Sequence, residues 1–183
     1  MTHKFPYENK NILYDPKRKE ILPIDKILES LPEINNSIVV DLGAGTGYFT
    51  KPLAKKAKKL YAIDIEQKFV DLLKIKYHKD KNIEILLSAE DKIPLQNNSI
   101  DVVFTSTVFH ELEGVSTIKE IKRILKKHAI FVIIDWKKEK TPMGPPIEER
   151  KSIQEVLTSC NALGFSLLRE FTISKYLYGL IFI

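Results

Sequence analysis

The chain has 183 residues, of which 44% are hydrophobic, and this predicts one domain with a substantial core. Its longest wholly apolar stretch, Ala129 to Ile134, is far shorter than the roughly 20 residues that cross a bilayer. The polar start has no secretion signal, so we expect a cytoplasmic protein without membrane insertion. The single cysteine, Cys160, excludes an internal disulfide and a cysteine-based zinc cluster.

The net charge of +5 raises the question of nucleic acid as a partner. Only four of the 29 basic residues are arginines, the residue type that usually reads bases and phosphates. The densest lysine cluster, from Lys51 to Lys59, is expected as a solvated face on the first helix after a glycine-rich turn. These features disfavour nucleic acid as a partner.

Residues 1–36 precede the first predicted strand. The segment from Leu22 to Pro32 predicts a short helix against the sheet edge, and the polar stretch before it carries the aromatic residues Phe5, Tyr7 and Tyr14. We therefore predict an N-terminal helical segment over residues 1–36 and a sheet-containing domain over residues 37–183.

The segment VVDLGAGTG, residues 39–47, predicts a buried strand that turns sharply and enters a helix. Gly43 and Gly45 have no Cβ, so their main chain can lie directly against a ligand, and the helix would add free N–H groups. Tyr48 stands where a dinucleotide fingerprint needs glycine or alanine, which disfavours an NAD-linked reductase. Asp41 would repel a pyrophosphate and suits a ligand that carries an amino group.

Four further strands are expected in alternation with helices, which predicts a parallel sheet with helices on both faces. They are Leu60 to Asp64, Ile83 to Leu86, Ile100 to Phe104 and Ala129 to Asp135. Asp64 follows Gly43 by 21 positions, near the roughly 20-residue spacing that brings a carboxylate onto ribose hydroxyls.

The end of the chain departs from this alternation. Phe165 to Ile173 and Tyr176 to Ile183 are predicted strands joined only by Ser174 and Lys175. A link of that length cannot hold a crossover, so the two strands must form an antiparallel hairpin. Before the hairpin, Ser152 to Glu155 predicts a capping box at the start of a helix that ends just before Gly164.

Together these segments resemble the class I S-adenosylmethionine-dependent methyltransferases over nearly the whole chain. The first motif is VVDLGAGTGYFT, and later landmarks follow in order: Asp64, Ser88 to Asp91, Ile100 to Phe104, and Arg123 to Lys126. The resemblance implies a doubly wound α/β fold: a mostly parallel seven-stranded sheet with an antiparallel C-terminal strand. Ile93-Pro94 and Phe109 to Leu112 look most like the type-11 branch related to quinone-biosynthesis C-methyltransferases.

The resemblance also implies a site for S-adenosyl-L-methionine. The implied contacts are Asp41, Gly43, Gly45 and Gly47 at the methionine end with Ala44 in the same turn, Asp64 at the ribose, Ile65, Ala89 and Glu90 at the adenine, and Thr105 near the methyl group. Structural alternatives remain open at this point. The glycine turn can exist without a ligand, Asp64 can stabilise a helix dipole, and Glu90 can be a solvated acid.

The candidates for a general base are His110 and Asp135, which follow the fourth and fifth strands. Asp135-Trp136 replaces the Asp-Asn pair of magnesium-dependent relatives, so we expect no metal. Thr105 to Val108 replaces the motif of adenine and glutamine methyltransferases, which favours a small-molecule acceptor and in-line methyl transfer. The alternatives are an RNA or protein methyltransferase and a non-catalytic regulatory module that binds S-adenosylmethionine.

Two segments are candidate walls of the acceptor site. The loop from Thr141 to Pro146 is stiffened by its prolines and follows the fifth strand. Residues 1–36 either cover the substrate, as such segments do in related methyltransferases, or form a structural strap. The sequence leaves the oligomeric state undetermined.

Overall fold

The computed structural model describes residues 4–183, so residues 1–3 of the predicted N-terminal segment lie outside the described residues. A seven-stranded sheet has the order β3-β2-β1-β4-β5-β7-β6. The strands are β1 (Ile38–Leu42), β2 (Lys59–Asp64), β3 (Ile83–Leu87), β4 (Ile100–Ser106), β5 (Leu125–Trp136), β6 (Leu167–Thr172) and β7 (Leu177–Phe182). All neighbouring strands are parallel except β7, which runs antiparallel to β5 and β6. The predicted fold class is confirmed.

Short helices connect the strands over residues 4–183. The α-helices are α1 (Lys17–Ile21), α2 (Ile24–Ser30), α3 (Thr50–Ala54), α4 (Gln67–Tyr77), α5 (Ser116–Ile124) and α6 (Ile153–Asn161), and 3-10 helices span Tyr7–Tyr14, Phe109–Glu111 and Ile147–Glu149. No helix in this part of the chain has the length and apolar character that a membrane crossing requires.

The central strands of the sheet are buried on both faces, to which neighbouring residues of a strand point in turn. In β1, Val39 packs into one core and Val40 into the other, and both side chains are fully buried. The first core lies under the N-terminal helices, α3 and α4, whereas the second lies under α5 and α6. The sheet thus forms the middle of three layers.

The C-terminal hairpin forms as predicted, but its connection is longer than the two residues expected. The strands end at Thr172 and begin again at Leu177, so four residues separate them. Ile173 leaves the strand because its side chain is buried in the first core, while Lys26 of α2 donates to its carbonyl oxygen. The predicted capping box is present: the Ser152 side chain accepts from the Glu155 N–H, and the Glu155 carboxylate from the Ser152 N–H.

The predicted helical lysine face is wrong. Helix α3 ends at Ala54, so Lys51 is its only member of the cluster, and Lys59 already belongs to β2. The chain leaves the helix early because Ala57 is buried and the Lys58 N–H donates to the Ser37 carbonyl at the entrance of β2 (3.0 Å). This places the exposed lysines of the cluster at the amino edge of the sheet.

Candidate active site

A cavity of about 650 Å³ opens at the opposite edge, where the parallel strands have their carboxyl ends. Residues that follow β1, β2 and β3 line one half of it, which we call the cofactor half. Residues that follow β4 and β5 line the other, the acceptor half. The two halves meet between β1 and β4, where the strand order reverses, and this is the place at which open α/β sheets bind ligands.

The glycine turn after β1 forms the floor of the cofactor half. Gly43 and Gly45 have φ angles of 72° and 53°, in the left-handed region that favours glycine. A Cβ on Gly45 would find no protein atom closer than Leu13 Cδ1 at 3.6 Å, so the space above this residue is open to a ligand. Ala44 and Thr46 also line the cavity.

Helix α3 begins later than the glycine motif suggests. Its first residue, Thr50, is fully buried and does not line the cavity. The main chain of residues 43–46, rather than a helix N-terminus, therefore faces the ligand space. Gly47 also lies outside the lining: the Tyr77 hydroxyl donates to its carbonyl oxygen (2.9 Å), and a Cβ there would lie 2.7 Å from that hydroxyl.

Asp41 lies beneath the turn and does not line the cavity. Its side chain accepts a hydrogen bond from the Thr50 hydroxyl at 2.7 Å. Burial raises the pKa of Asp41 to about 7, although the Thr50 hydrogen bond opposes the shift. Its role at the methionine end stays a prediction.

Asp64, at the end of β2, does line the cavity. Its two carboxylate oxygens accept from the N–H groups of Gly45 (2.8 Å) and Glu66 (3.0 Å). Burial raises the pKa of Asp64, and these N–H groups oppose the rise. A carboxylate has about four acceptor positions, so the oxygens keep capacity for ribose hydroxyls.

The residues predicted at the adenine form the outer wall of the cofactor half. Ile65 is 40% exposed, which is unusual for a large apolar side chain next to a core strand, and it lines the cavity together with Ala89 and Glu90. The Glu90 carboxylate forms an ion pair with Lys4. The exposed apolar surface of Ile65 suits a flat aromatic ligand.

Beside the turn, the end of β4 carries two buried hydroxyl groups. Among residues 4–183, the side-chain oxygens of Thr105 and Ser106 have no hydrogen-bond partner. Ser106 lines the cavity, whereas Thr105, which the sequence places at the cofactor, does not. The next residue, Thr107, has a φ of 57°, a strained value for a β-branched residue that turns the chain out of β4.

The acceptor half is centred on His110. Its Nδ1 lies 2.8 Å from the Asp135 carboxylate, which also accepts from the N–H groups of His110 (2.9 Å) and Trp136 (2.8 Å). Burial opposes protonation of the imidazole, but the Asp135 carboxylate outweighs it and raises the pKa of His110. His110 lines the cavity, and Asp135 lies behind it at 1% exposure. Asp135 is placed to orient His110.

Two acids also line this half: Glu111, which lies in the predicted segment after β4 but received no role of its own, and Glu149, which sequence reasoning missed. The Glu111 carboxylate lies 3.8 Å from His110 Nε2 and accepts from the Phe5 N–H at 3.3 Å. Burial raises the pKa of Glu111 to about 7. The signal available was the cluster of polar residues after β4, but the sequence does not show which of them turn inward.

The N-terminal segment closes the top of the cavity, and Phe5, Pro6, Ile12 and Leu13 belong to its lining. The segment is held by the Glu8 ion pair with Lys68 of α4 (2.6 Å) and by an edge contact of Tyr7 with Phe69 (5.0 Å between ring centroids). The loop from Met143 to Pro146, part of the predicted wall after β5, lines the opposite side. Both segments thus border the cavity, and their role as a cover over a substrate stays a prediction.

Comparison with known proteins identifies the family of this chain. Residues 40–133 match a family described as Methyltransferase domain. The crystal structure of an S-adenosylmethionine-dependent methyltransferase from Aquifex aeolicus is 36% identical with a TM-score of 0.91, and the match covers 98% of each chain.

Two curated relatives match over part of their length. An uncharacterized methyltransferase-like protein of Schizosaccharomyces pombe is 35% identical over 91 residues, which are 49% of this chain and 34% of the relative. A probable ribosomal RNA small subunit methyltransferase A of Methanosphaera stadtmanae is 29% identical over 136 residues, 72% of this chain and 50% of the relative. The chain thus spans a third to a half of these curated relatives.

The sheet order and the cavity at its reversal point define a class I, Rossmann-like methyltransferase fold. The chain belongs to the S-adenosylmethionine-dependent methyltransferases of this class. S-adenosyl-L-methionine is therefore its cofactor, and the open main chain at Gly45, the Asp64 carboxylate and the unpaired Ser106 hydroxyl fit that molecule. The resemblance to the quinone-biosynthesis branch stays a prediction.

Proposed function

We propose that this chain transfers a methyl group from S-adenosylmethionine to a small-molecule acceptor. The observation that carries the proposal is the shape of the cavity: the cofactor half and the acceptor half share one space of about 650 Å³ beneath the N-terminal segment. Pockets of about 300–1,000 Å³ hold drug-sized ligands. A covered cavity of this size suits a cofactor and a small acceptor better than a polymer.

In the proposed site, the main chain of Gly43 to Thr46 and the Asp64 carboxylate hold the cofactor, and Ile65, Ala89 and Glu90 border its adenine. The cofactor supplies an electrophilic methyl group attached to a sulfonium leaving group. Since the leaving group needs no protonation, the protein contributes mainly by aligning the reactants and excluding water. His110, oriented by Asp135, is placed to take a proton from an acceptor that must lose one.

The RNA methyltransferase alternative has relatives in its favour, among them the protein from Methanosphaera stadtmanae. The charge distribution argues against it. The exposed lysines Lys55, Lys56, Lys58, Lys79 and Lys81 precede β2 and β3 and lie at the amino edge, away from the cavity. An RNA-binding surface would place such residues beside the cavity mouth.

The proposal is tested by incubating the chain with methyl-labelled S-adenosylmethionine and cell extract separated into small molecules, RNA and protein. We expect label in the small-molecule fraction. Label only in RNA or protein would identify the corresponding alternative. Cofactor binding without label in any fraction would identify a regulatory module.

The cofactor site has its own test, the Asp64→Ala substitution. We expect S-adenosylmethionine to bind more weakly by roughly 1.5–3 kcal/mol, the range for hydrogen bonds to a charged group. The measurement is isothermal titration calorimetry, with Asp71→Ala as a control because Asp71 is an exposed residue of α4 that contacts Gln67. Unchanged affinity in Asp64→Ala would remove Asp64 from the ribose role.

A further inference from the structure

The acceptor half of the cavity contains carboxylates but no basic side chain other than His110. In the described part of the chain, the residues that line the cavity after β4 and β5 include Glu111 and Glu149 and no lysine or arginine. The adjacent cations are occupied elsewhere. Arg150 donates to the carbonyl oxygens of Lys137, Glu139 and Pro145, and Lys151 to that of Leu112.

One positive charge on His110 cannot neutralise the three carboxylates around it, which belong to Asp135, Glu111 and Glu149. When protonated, the imidazole is matched by Asp135, whose carboxylate lies 2.8 Å from Nδ1. Glu111 lies 3.8 Å from the other ring nitrogen, and the salt bridges of residues 4–183 include none for Glu149. The pair His110 and Asp135 is therefore close to neutral, and Glu111 and Glu149 remain without a cation of their own.

The two basic residues of the N-terminal segment that line the cavity do not compensate for this charge. Lys4 forms its ion pair with Glu90, on the adenine side. Arg18 donates to the Leu13 carbonyl, and its guanidinium lies 4.6 Å from the centre of the Tyr48 ring. Burial raises the pKa of Glu111 to about 7, although His110 at 3.8 Å opposes the rise.

Apart from the hydroxyl residues Ser106, Thr107 and Thr117, the other walls of the acceptor half are apolar. They are formed by Val108, Leu112, Trp136, Met143, Pro145 and Pro146. Such a site suits a ligand with an apolar body and one positively charged end, because each part of the ligand then meets matching protein groups.

We propose that the methyl acceptor is a small amine that binds through its ammonium group to Glu111 and Glu149. Before transfer, the nitrogen gives one proton to the unprotonated imidazole of His110, and the freed lone pair forms the new N–C bond as the bond between the methyl group and the cofactor's sulfur breaks. This inference rests on the proposed function, since it names the acceptor class of the same site. The amine supplies the cation that the acceptor half lacks, and its N–H groups donate to the two carboxylates. A ligand with a carboxylate or phosphate at this end faces two acidic groups and no cation, so the same groups disfavour it.

The test uses three probes of similar shape and different charge: 2-phenylethylamine, 2-phenylethanol and 3-phenylpropanoate. The full chain is first saturated with S-adenosylhomocysteine, and each probe is then titrated while the fluorescence of Trp136 is recorded. Trp136 is the single tryptophan and lines the acceptor half. We expect the amine to bind about tenfold or more tightly than the alcohol, and the carboxylate to bind most weakly.

Two substitutions that remove the charge of one glutamate test whether Glu111 and Glu149 cause this preference. In Glu111→Gln and in Glu149→Gln, the preference for the amine over the alcohol is expected to fall about fivefold or more. Glu148→Gln is the matched control, because Glu148 is the exposed neighbour of Glu149 and does not line the cavity. It is expected to keep the full preference.

The outcomes separate this inference from the proposed function. Equal or unmeasurable affinity for the three probes, tighter binding of the carboxylate, or an amine preference that survives both substitutions contradicts the amine assignment. In those cases, binding of S-adenosylhomocysteine and label in a small molecule leave the proposed function intact. Absence of heat on titration with S-adenosylhomocysteine contradicts the proposed function itself.

Discussion

The two halves of the cavity are built from different parts of the chain. The cofactor half consists largely of main chain from Gly43 to Thr46 and one carboxylate, Asp64, at the tip of a strand. The acceptor half consists of side chains such as His110, Glu111 and Glu149 on short irregular segments. Main chain approaches a ligand most closely where a residue has no Cβ, so the cofactor half requires glycines that can be recognised in the sequence. The acceptor half depends on side chains and has no fixed sequence motif.

The cofactor half and the acceptor half are in contact at Gly43, and a substitution there is expected to have the largest effect on stability. A Cβ on Gly43 would lie 2.5 Å from Val108 Cγ2, at a φ of 72°. We expect Gly43→Ala to lower the free energy of unfolding by about 2–5 kcal/mol, from the left-handed backbone and the collision with a stiff β-branched side chain. Urea denaturation measures this change.

The matched control is Gly114→Ala. Gly114 also has a positive φ, 64°, but a Cβ there meets nothing within 4 Å, so only the backbone cost of about 1–2 kcal/mol is expected. Adding Val108→Ala to Gly43→Ala should restore part of the stability. Equal losses at both glycines, with no coupling to Val108, would show that the halves are not in mechanical contact.

A substitution of Asp41 tests whether this carboxylate of the glycine motif binds the ligand or supports the turn. Its pKa is raised to about 7, so the folded protein keeps a proton that the unfolded chain releases near pH 4. The contribution of Asp41 to the free energy of unfolding therefore falls as the pH rises from about 4 to about 7. Asn at this position cannot ionise, and the Thr50 hydroxyl can still donate to its amide oxygen.

We expect Asp41→Asn to gain stability relative to the wild type between pH 4.5 and pH 8, by about 2–4 kcal/mol. Urea denaturation of both proteins at the two pH values measures the gain. The pKa of Glu111 is also raised, but Glu111 is present in both proteins, so its contribution cancels in the stability difference between them. A difference that does not change with pH would mean that Asp41 is ionised in the folded state.

The smallest effect is expected at the end of β4, where substitutions of two neighbouring hydroxyl residues test which of them contacts the cofactor. Ser106→Ala removes a hydroxyl group that lines the cavity, and S-adenosylmethionine should then bind about 1 kcal/mol more weakly. Thr105→Val removes a buried hydroxyl outside the lining, so the affinity should stay the same and the stability should stay equal or rise slightly. The reverse pattern in calorimetry would favour Thr105 as the cofactor contact.

The fold was largely predictable from residue patterns. The apolar runs at Val39-Val40 and from Ile130 to Ile134 predicted strands, and the short link Ser174-Lys175 predicted an antiparallel hairpin. The errors lie where tertiary contacts decide an element's end. Helix α3 stops at Ala54 because the chain must turn back to Ser37, and strand β6 stops before Ile173 because that side chain enters the core.

The site was predictable in proportion to its dependence on the main chain. Gly43, Gly45 and Asp64 have fixed spacing because a turn and a strand tip impose it, and all three line the cavity. Gly47, in the same motif, packs against Tyr77 instead. Glu111 and Glu149 depend on the direction of a 3-10 turn and a proline-rich loop, which local sequence does not specify.

The position of β7 has a consequence for the synthesis of the chain. This strand lies between β5 and β6, both of which precede it, and all six of its residues are buried. While a ribosome is still making residues 177–182, β5 has an open edge and β6 has no neighbour to pair with. Strand β7 can pair with β5 and β6 only after Phe182 has left the exit tunnel. Until then the nascent protein exposes the unpaired edge of β5, which can pair with other chains.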